Sequence, residues 1–166
     1  MNKTLYTLEV LVTAAPVTEE FQKAHPVLRR TIEIRGDQTL ERLHEAIFKA
    51  FDRWEEHMYE FQFGDQLHDP KGDRYGPHLP FTIGGFDEDE PARDAAKAKI
   101  DSLGLTVDRW FGYWFDFGDN WCHQIVVMAI GEAKPKVRYP RVIAKVGDSP
   151  PQYMEEDEEE GWEEDE

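Results

Sequence analysis

Residues Trp110 to Ile130 read WFGYWFDFGDNWCHQIVVMAI. Two runs rich in aromatic and β-branched side chains, Trp110 to Phe117 and Trp121 to Ile130, flank Gly118-Asp119-Asn120. These three residue types tolerate the backbone angles of a tight turn, so the stretch predicts a β-hairpin. Strands this apolar on both sides need cover from both sides, which places the hairpin near the centre of a sheet.

Working outward, Lys3 to Val12 alternates, with Tyr6, Leu8, Val10 and Val12 on one side and Thr7 and Glu9 on the other. That is the period of a half-buried strand. Leu28, Arg30, Ile32 and Ile34 repeat the pattern after a connection, Thr13 to Pro26, that contains Pro16 and Pro26. From Thr39 the period changes: Leu40, Leu43, His44, Ile47, Phe48 and Phe51 make one stripe of an α-helix. Asp37 or Thr39 can cap its first N–H groups, and Glu41 suits the first turn. Met58 to Gly64 puts Tyr59, Phe61 and Phe63 opposite Glu60 and Gln62, a third strand.

Asp65 to Pro91 lacks either period and predicts a long loop, with a short strand at Leu79 to Ile83. A second helix is expected over Ala92 to Leu103, closed by Gly104. Val137 to Val146 is a last strand that Pro140 confines to an edge or a bend. The order ββαβ-loop-αββ predicts an α+β fold: one domain over residues 1–153, with two main helices on a largely antiparallel sheet of about five or six strands.

Of the 35 acidic residues, ten fall in Glu155 to Glu166, which contains no base. Residues 154–166 therefore form a disordered acidic tail, since like charges repel and Met154 and Trp162 offer little apolar surface. The remaining chain holds 25 acids against 19 bases, a formal charge of −6. Net charge of this sign opposes binding to nucleic acid, against which stands one basic patch of Lys134, Lys136, Arg138 and Arg141. The single cysteine, Cys122, excludes an intrachain disulfide and fits a reducing compartment. An N-terminus too short and too alternating for a signal peptide or a membrane span makes the cytoplasm the expected location.

Asp116, Asp119 and His123 are the candidate chemical group, because carboxylates and an imidazole can bind a divalent metal or share acid-base work, with His57 as a further ligand or helper. The structural alternative is a turn with a partly buried histidine beside it. His44 on the helix stripe reads as a satisfied core histidine. His57, His68 and His78, with Asp65, Asp69 and Asp73 between them, match no standard metal spacing. Gly72 and Gly84-Gly85 form no phosphate loop, and Ser102 and Ser149 lie in no nucleophile elbow. Cys122 sits in an apolar strand, where a thiol acts as a small hydrophobe. No cofactor is expected, and a divalent metal is the one candidate.

Three segments resemble the plasmid pRiA4b ORF-3-like family. They are His25-Pro26-Val27-Leu28-Arg29-Arg30 running into Thr39 to Ile47 and on to Gly64; Tyr113-Trp114-Phe115-Asp116-Phe117-Gly118-Asp119-Asn120-Trp121-Cys122-His123-Gln124-Ile125; and Tyr139-Pro140-Arg141 with Pro150-Pro151. The resemblance implies a compact α+β fold and no established activity. Where many relatives carry cysteines around the Pro-Pro segment, this chain has Val142, Ser149 and Tyr153, so a metal role for those cysteines does not apply.

The leading functional expectation is a non-catalytic protein-interaction module, because aromatic residues exceed what one helix stripe needs and no complete catalytic set appears. The alternative is a metal-dependent hydrolase or nuclease-like enzyme using Asp116, Asp119 and His123. A third reading, association with nucleic acid on mobile elements, rests on the family name and is opposed by the charge.

Overall fold

The computed structural model describes residues 3–66, 69, 71–77 and 93–153. The expected strand at Leu79 to Ile83, His68, His78 and the acidic tail lie outside these residues.

Strand β1 (Thr4–Ala14) is followed by helix α1 (Glu19–Ala24), β2 (Arg29–Arg35), helix α2 (Leu40–Ala50) and β3 (Tyr59–Gln62). Then come β4 (Arg74–Gly76), β5 (Arg93–Asp94), two 3₁₀ turns at Ala95–Lys97 and Ile100–Leu103, β6 (Trp110–Phe115), β7 (Trp121–Glu132) and β8 (Arg141–Val146). Among the described residues the strands form one sheet in the order β5-β4-β3-β6-β7-β1-β2-β8. Every neighbouring pair is antiparallel except β4–β5. The α+β class holds, but the sheet has eight strands rather than five or six. β4 and β5, three and two residues long, are too short to show a period of two.

The hairpin strands β6 and β7 are central, as their apolar content requires, and β8 lies at the edge that Pro140 dictates. Helix α2 starts where Thr39 accepts a hydrogen bond from the Arg42 N–H and buries Leu40, Leu43, His44, Ile47 and Ala50. Phe51 is fully buried and Phe48 half-buried. This stripe closes a core built from Leu8, Val10, Ile32 and Ile34 on one half of the sheet and from Phe61, Phe111, Tyr113 and Phe115 on the other.

Two helices are expected and two are present among the described residues, but the second is α1, hidden between prolines, and not Ala92 to Leu103. There the chain makes only 3₁₀ turns. Ala98 and Lys99 are held extended between them because Leu40 N–H bonds the Ala98 carbonyl at 2.9 Å and Ile100 N–H bonds the Gln38 carbonyl at 2.8 Å. Pairing with the chain entering α2 thus overrides the local helical spacing. Gly104 does close the segment in the left-handed conformation, φ 67°. No helix among the described residues is long and apolar enough to cross a membrane.

Candidate functional site

The β6–β7 turn is built by its own carboxylate. Asp116 adopts φ 62° and Asn120 φ 57°, left-handed angles that Asp and Asn accept more readily than other side chains. The Asp116 carbonyl accepts from the N–H of Asp119 at 3.0 Å and of Asn120 at 2.7 Å, and its Oδ1 lies 3.2 Å from the Asp119 N–H. Asp116 Oδ2 is 3.4 Å from His57 Nε2, which is also 2.6 Å from the Tyr153 hydroxyl and 4.0 Å from Glu55. The structure therefore brings His57 to Asp116, on the rim of the sheet.

His123 goes elsewhere. It is buried beneath α2, where its Nδ1–H donates to the Tyr113 carbonyl at 3.0 Å and its Nε2 accepts from Arg53 Nη2 at 2.8 Å. Both ring nitrogens are thereby used, which fixes a neutral tautomer and leaves no lone pair for a metal. Burial, reinforced by the neighbouring Arg53 cation, pushes its pKa well below the usual histidine value. Among the described residues no group of three or more His, Cys, Asp or Glu is arranged to hold a metal ion.

A second buried chain of contacts runs beside it. The Tyr113 hydroxyl donates to His44 Nδ1 at 2.6 Å, and His44 Nε2–H donates to Glu56 at 3.0 Å. His44 stacks on Tyr59 with ring centroids 3.7 Å apart. Burial lowers the His44 pKa despite Glu56 and holds Tyr113 in the phenol form. His44 is the satisfied core histidine its position on the helix stripe implies.

Arg53 is the residue sequence reading misses. It follows the end of α2, is almost wholly buried, and lies over the rings of Phe51, Phe115 and Trp121 at 5.0, 5.0 and 4.8 Å. Its Nε and Nη1, and the Trp121 Nε1, have no hydrogen-bond partner among the described residues. Burial lowers its pKa to about 10, so it remains a cation at neutral pH, stabilised by ring faces and, through space, by the Asp116 carboxylate. Arg30, over the same Phe51 ring at 4.5 Å, is satisfied by the carbonyls of Ala50, Arg29 and Val146 and by Ser149. No periodicity or spacing marks Arg53, since its neighbours come from three separate elements.

The other concentration of charge lies at β8. All six of its residues are exposed, including Val142, Ile143 and Val146. From Lys134 to Lys145 the chain carries five cations and no acid, and all five are exposed. Arg141 pairs with Glu33 at 2.7 Å; Lys134, Lys136, Arg138 and Lys145 form no ion pair among the described residues. The sequence marks four of these five as a patch; Lys145 joins it because β8 continues the same edge.

With this geometry in place, a family model for plasmid pRiA4b ORF-3-like proteins matches residues 16–160. The chain belongs to that family. The plasmid pRiA4b ORF-3-like fold is similar to the crystal structure of MM3350, a protein of unknown function from Methanosarcina mazei Go1. The TM-score is 0.69 at 23% sequence identity, covering 92% of this chain and 74% of that one. No curated protein matches the chain. Neither family nor neighbour carries a stated activity.

Proposed function

We propose that this plasmid pRiA4b ORF-3-like chain is a non-catalytic interaction module that takes an acidic, extended segment of a partner protein along the free edge of β8. The observation that carries the reading is that edge. One side of the β8 backbone pairs with β2, and no strand among the described residues lies on the other. A strand edge of this kind takes up an added strand by main-chain hydrogen bonds, and the side chains select the partner. Here the selecting side chains are Val142, Ile143 and Val146, set among cations of which Arg141 alone has an ion pair among the described residues. Natural edges are blunted by lysine against self-pairing, and the same charges favour an acidic strand.

Three features support a binding role over chemistry. His123 spends both nitrogens on hydrogen bonds, Asp116 is committed to its own turn, and Cys122 is a buried thiol whose pKa burial raises. An acidic peptide is favoured over nucleic acid because the chain away from this strip is negative and the strip carries apolar side chains as well as charge.

The test is fluorescence anisotropy with the full-length protein and a short labelled peptide of alternating glutamate and valine. The peptide binds, binding weakens as salt is raised, and Lys136→Glu with Lys145→Glu abolishes it. Equal binding of a lysine-valine peptide, tighter binding of a single-stranded oligonucleotide, or unchanged binding by the double variant would overturn the proposal.

A further inference from the structure

The rim beside the β6–β7 turn is a second recognition point, independent of β8. We infer that it takes an arginine side chain of a partner protein, stacked on Trp54 and donating to the carboxylates of Asp116 and Glu55.

Trp54 supplies the aromatic surface. It is 68% exposed, more than any other large hydrophobic side chain among the described residues. Its backbone N–H is held by Gln152 Oε1 at 2.9 Å, so the residue is fixed while its indole faces water. The indole meets the Tyr153 ring at 5.6 Å and 72°, and Tyr153 meets His57 at 6.2 Å and 79°. Rings set near right angles present faces as well as edges, and a ring face is where a cation is held.

The surrounding charge has the matching sign. Segments 51–57, 116–121 and 147–153 are joined here by Gln152 to Trp54 and Glu55, by Ser149 to Asp52 and by His57 to Asp116. Together they contain six carboxylates, on Asp52, Glu55, Glu56, Asp116, Asp119 and Asp148, against one cation, the buried Arg53. Such a rim attracts a positive partner and repels a negative one.

A buried acceptor narrows the ligand further. Asp116 is 7% exposed and spends its carbonyl and Oδ1 on the turn. Its Oδ2 meets His57 Nε2 at 3.4 Å and accepts no hydrogen bond among the described residues. The His57 N–H is already committed, since Nε2 lies 2.6 Å from the Tyr153 hydroxyl, which itself donates to Glu55 Oε1 at 2.8 Å. A carboxylate oxygen withdrawn from water and lacking a donor costs free energy that an incoming N–H recovers. Arginine meets both demands: its planar guanidinium stacks on a ring while its N–H groups reach carboxylates. A quaternary ammonium has no N–H to give, and the lysine ammonium is more strongly held by water. The interior of the chain shows the same chemistry, with Arg53 over Phe51, Phe115 and Trp121 and Asp116 acting on it through space.

The test is an NMR titration of ¹⁵N-labelled full-length protein with three capped peptides, Gly-Arg-Gly, Gly-Lys-Gly and Gly-citrulline-Gly. The Trp54 indole N–H signal, identified by its loss in Trp54→Phe, shifts and saturates with the arginine peptide, and added salt weakens the binding. The lysine peptide binds several-fold more weakly, and the uncharged citrulline peptide of the same shape gives no saturating shift. Trp54→Ala and Asp116→Asn each weaken the arginine peptide about fivefold. Asparagine tolerates the left-handed backbone of residue 116, and Glu55→Gln repeats the charge test at an exposed side chain away from the turn. Equal binding of the citrulline peptide, or tighter binding of the lysine peptide or of tetramethylammonium ion, overturns the proposal. So does unchanged affinity in Trp54→Ala and Glu55→Gln.

Discussion

The aromatic centre around Tyr113 and the edge strand β8 belong to one sheet and treat charge in opposite ways. At the centre, Arg53 and two histidines are sealed under α2, each held by hydrogen bonds or ring faces, and the histidines are kept neutral. At the edge, four cations stand in solvent without an ion pair among the described residues. Of the residues that look chemical in the sequence, His44 and His123 are thus committed to packing, while His57 meets Asp116 at the rim. Chemical residue types locate a site only when something leaves them free to act.

The largest expected effect lies at the centre. Leu43→Ala removes a fully buried side chain from the stripe of α2 and should destabilise by about 2 to 5 kcal/mol in chemical denaturation. A loss below about 0.5 kcal/mol, the level of a surface site, would mean that α2 does not seal the sheet. Tyr113→Phe comes next. It leaves His44 Nδ1 buried without its donor and should cost about 1 to 3 kcal/mol. Stability equal to the parent would show that the buried polar chain contributes nothing net.

The pH response sharpens the same contrast. His44 and His123 have folded pKa values below those of the unfolded chain, so the unfolded state takes up more protons. Their contribution is complete above the unfolded value, about 6.5, and is lost as pH falls below it toward the folded values. Denaturation midpoints should be level from pH 8 to about 6.5 and decline below that; a midpoint unchanged down to pH 5 would contradict neutral buried imidazoles. The smallest effect belongs to the edge. Lys136→Glu with Lys145→Glu should leave stability within about 0.5 kcal/mol of the parent, because both side chains are exposed and form no ion pair among the described residues. A larger loss would place those lysines in the folded framework.

The legible parts of this fold are those whose own residues decide them. The stripe from Leu40 to Phe51, the alternation of β1 and β2 and the aromatic hairpin each bury a face that no other arrangement hides. Illegible parts depend on distant partners. Residues Ala95 to Leu103 have helical spacing, yet pairing of Ala98 and Ile100 with the chain before α2 breaks them into turns. Helix α1 spans six residues and buries none, so it leaves no stripe to find. The proximity of His57 to Asp116 depends on the pairing of β3 with β6, where the Asp116 N–H bonds the Met58 carbonyl, and the withdrawal of His123 to Arg53 needs the end of α2 to fold across β7, so spacing along the chain shows neither.

The position of β1 sets a demand on synthesis. Its two neighbours are β2, which follows within thirty-five residues of the start, and β7, which begins at Trp121. While the intervening hundred or so residues are being added, at about 5 to 20 residues per second, one side of β1 has no native partner for roughly 5 to 20 seconds. The newborn chain must therefore carry an open, apolar strand edge until its second half arrives, a window in which a holding chaperone would find its substrate.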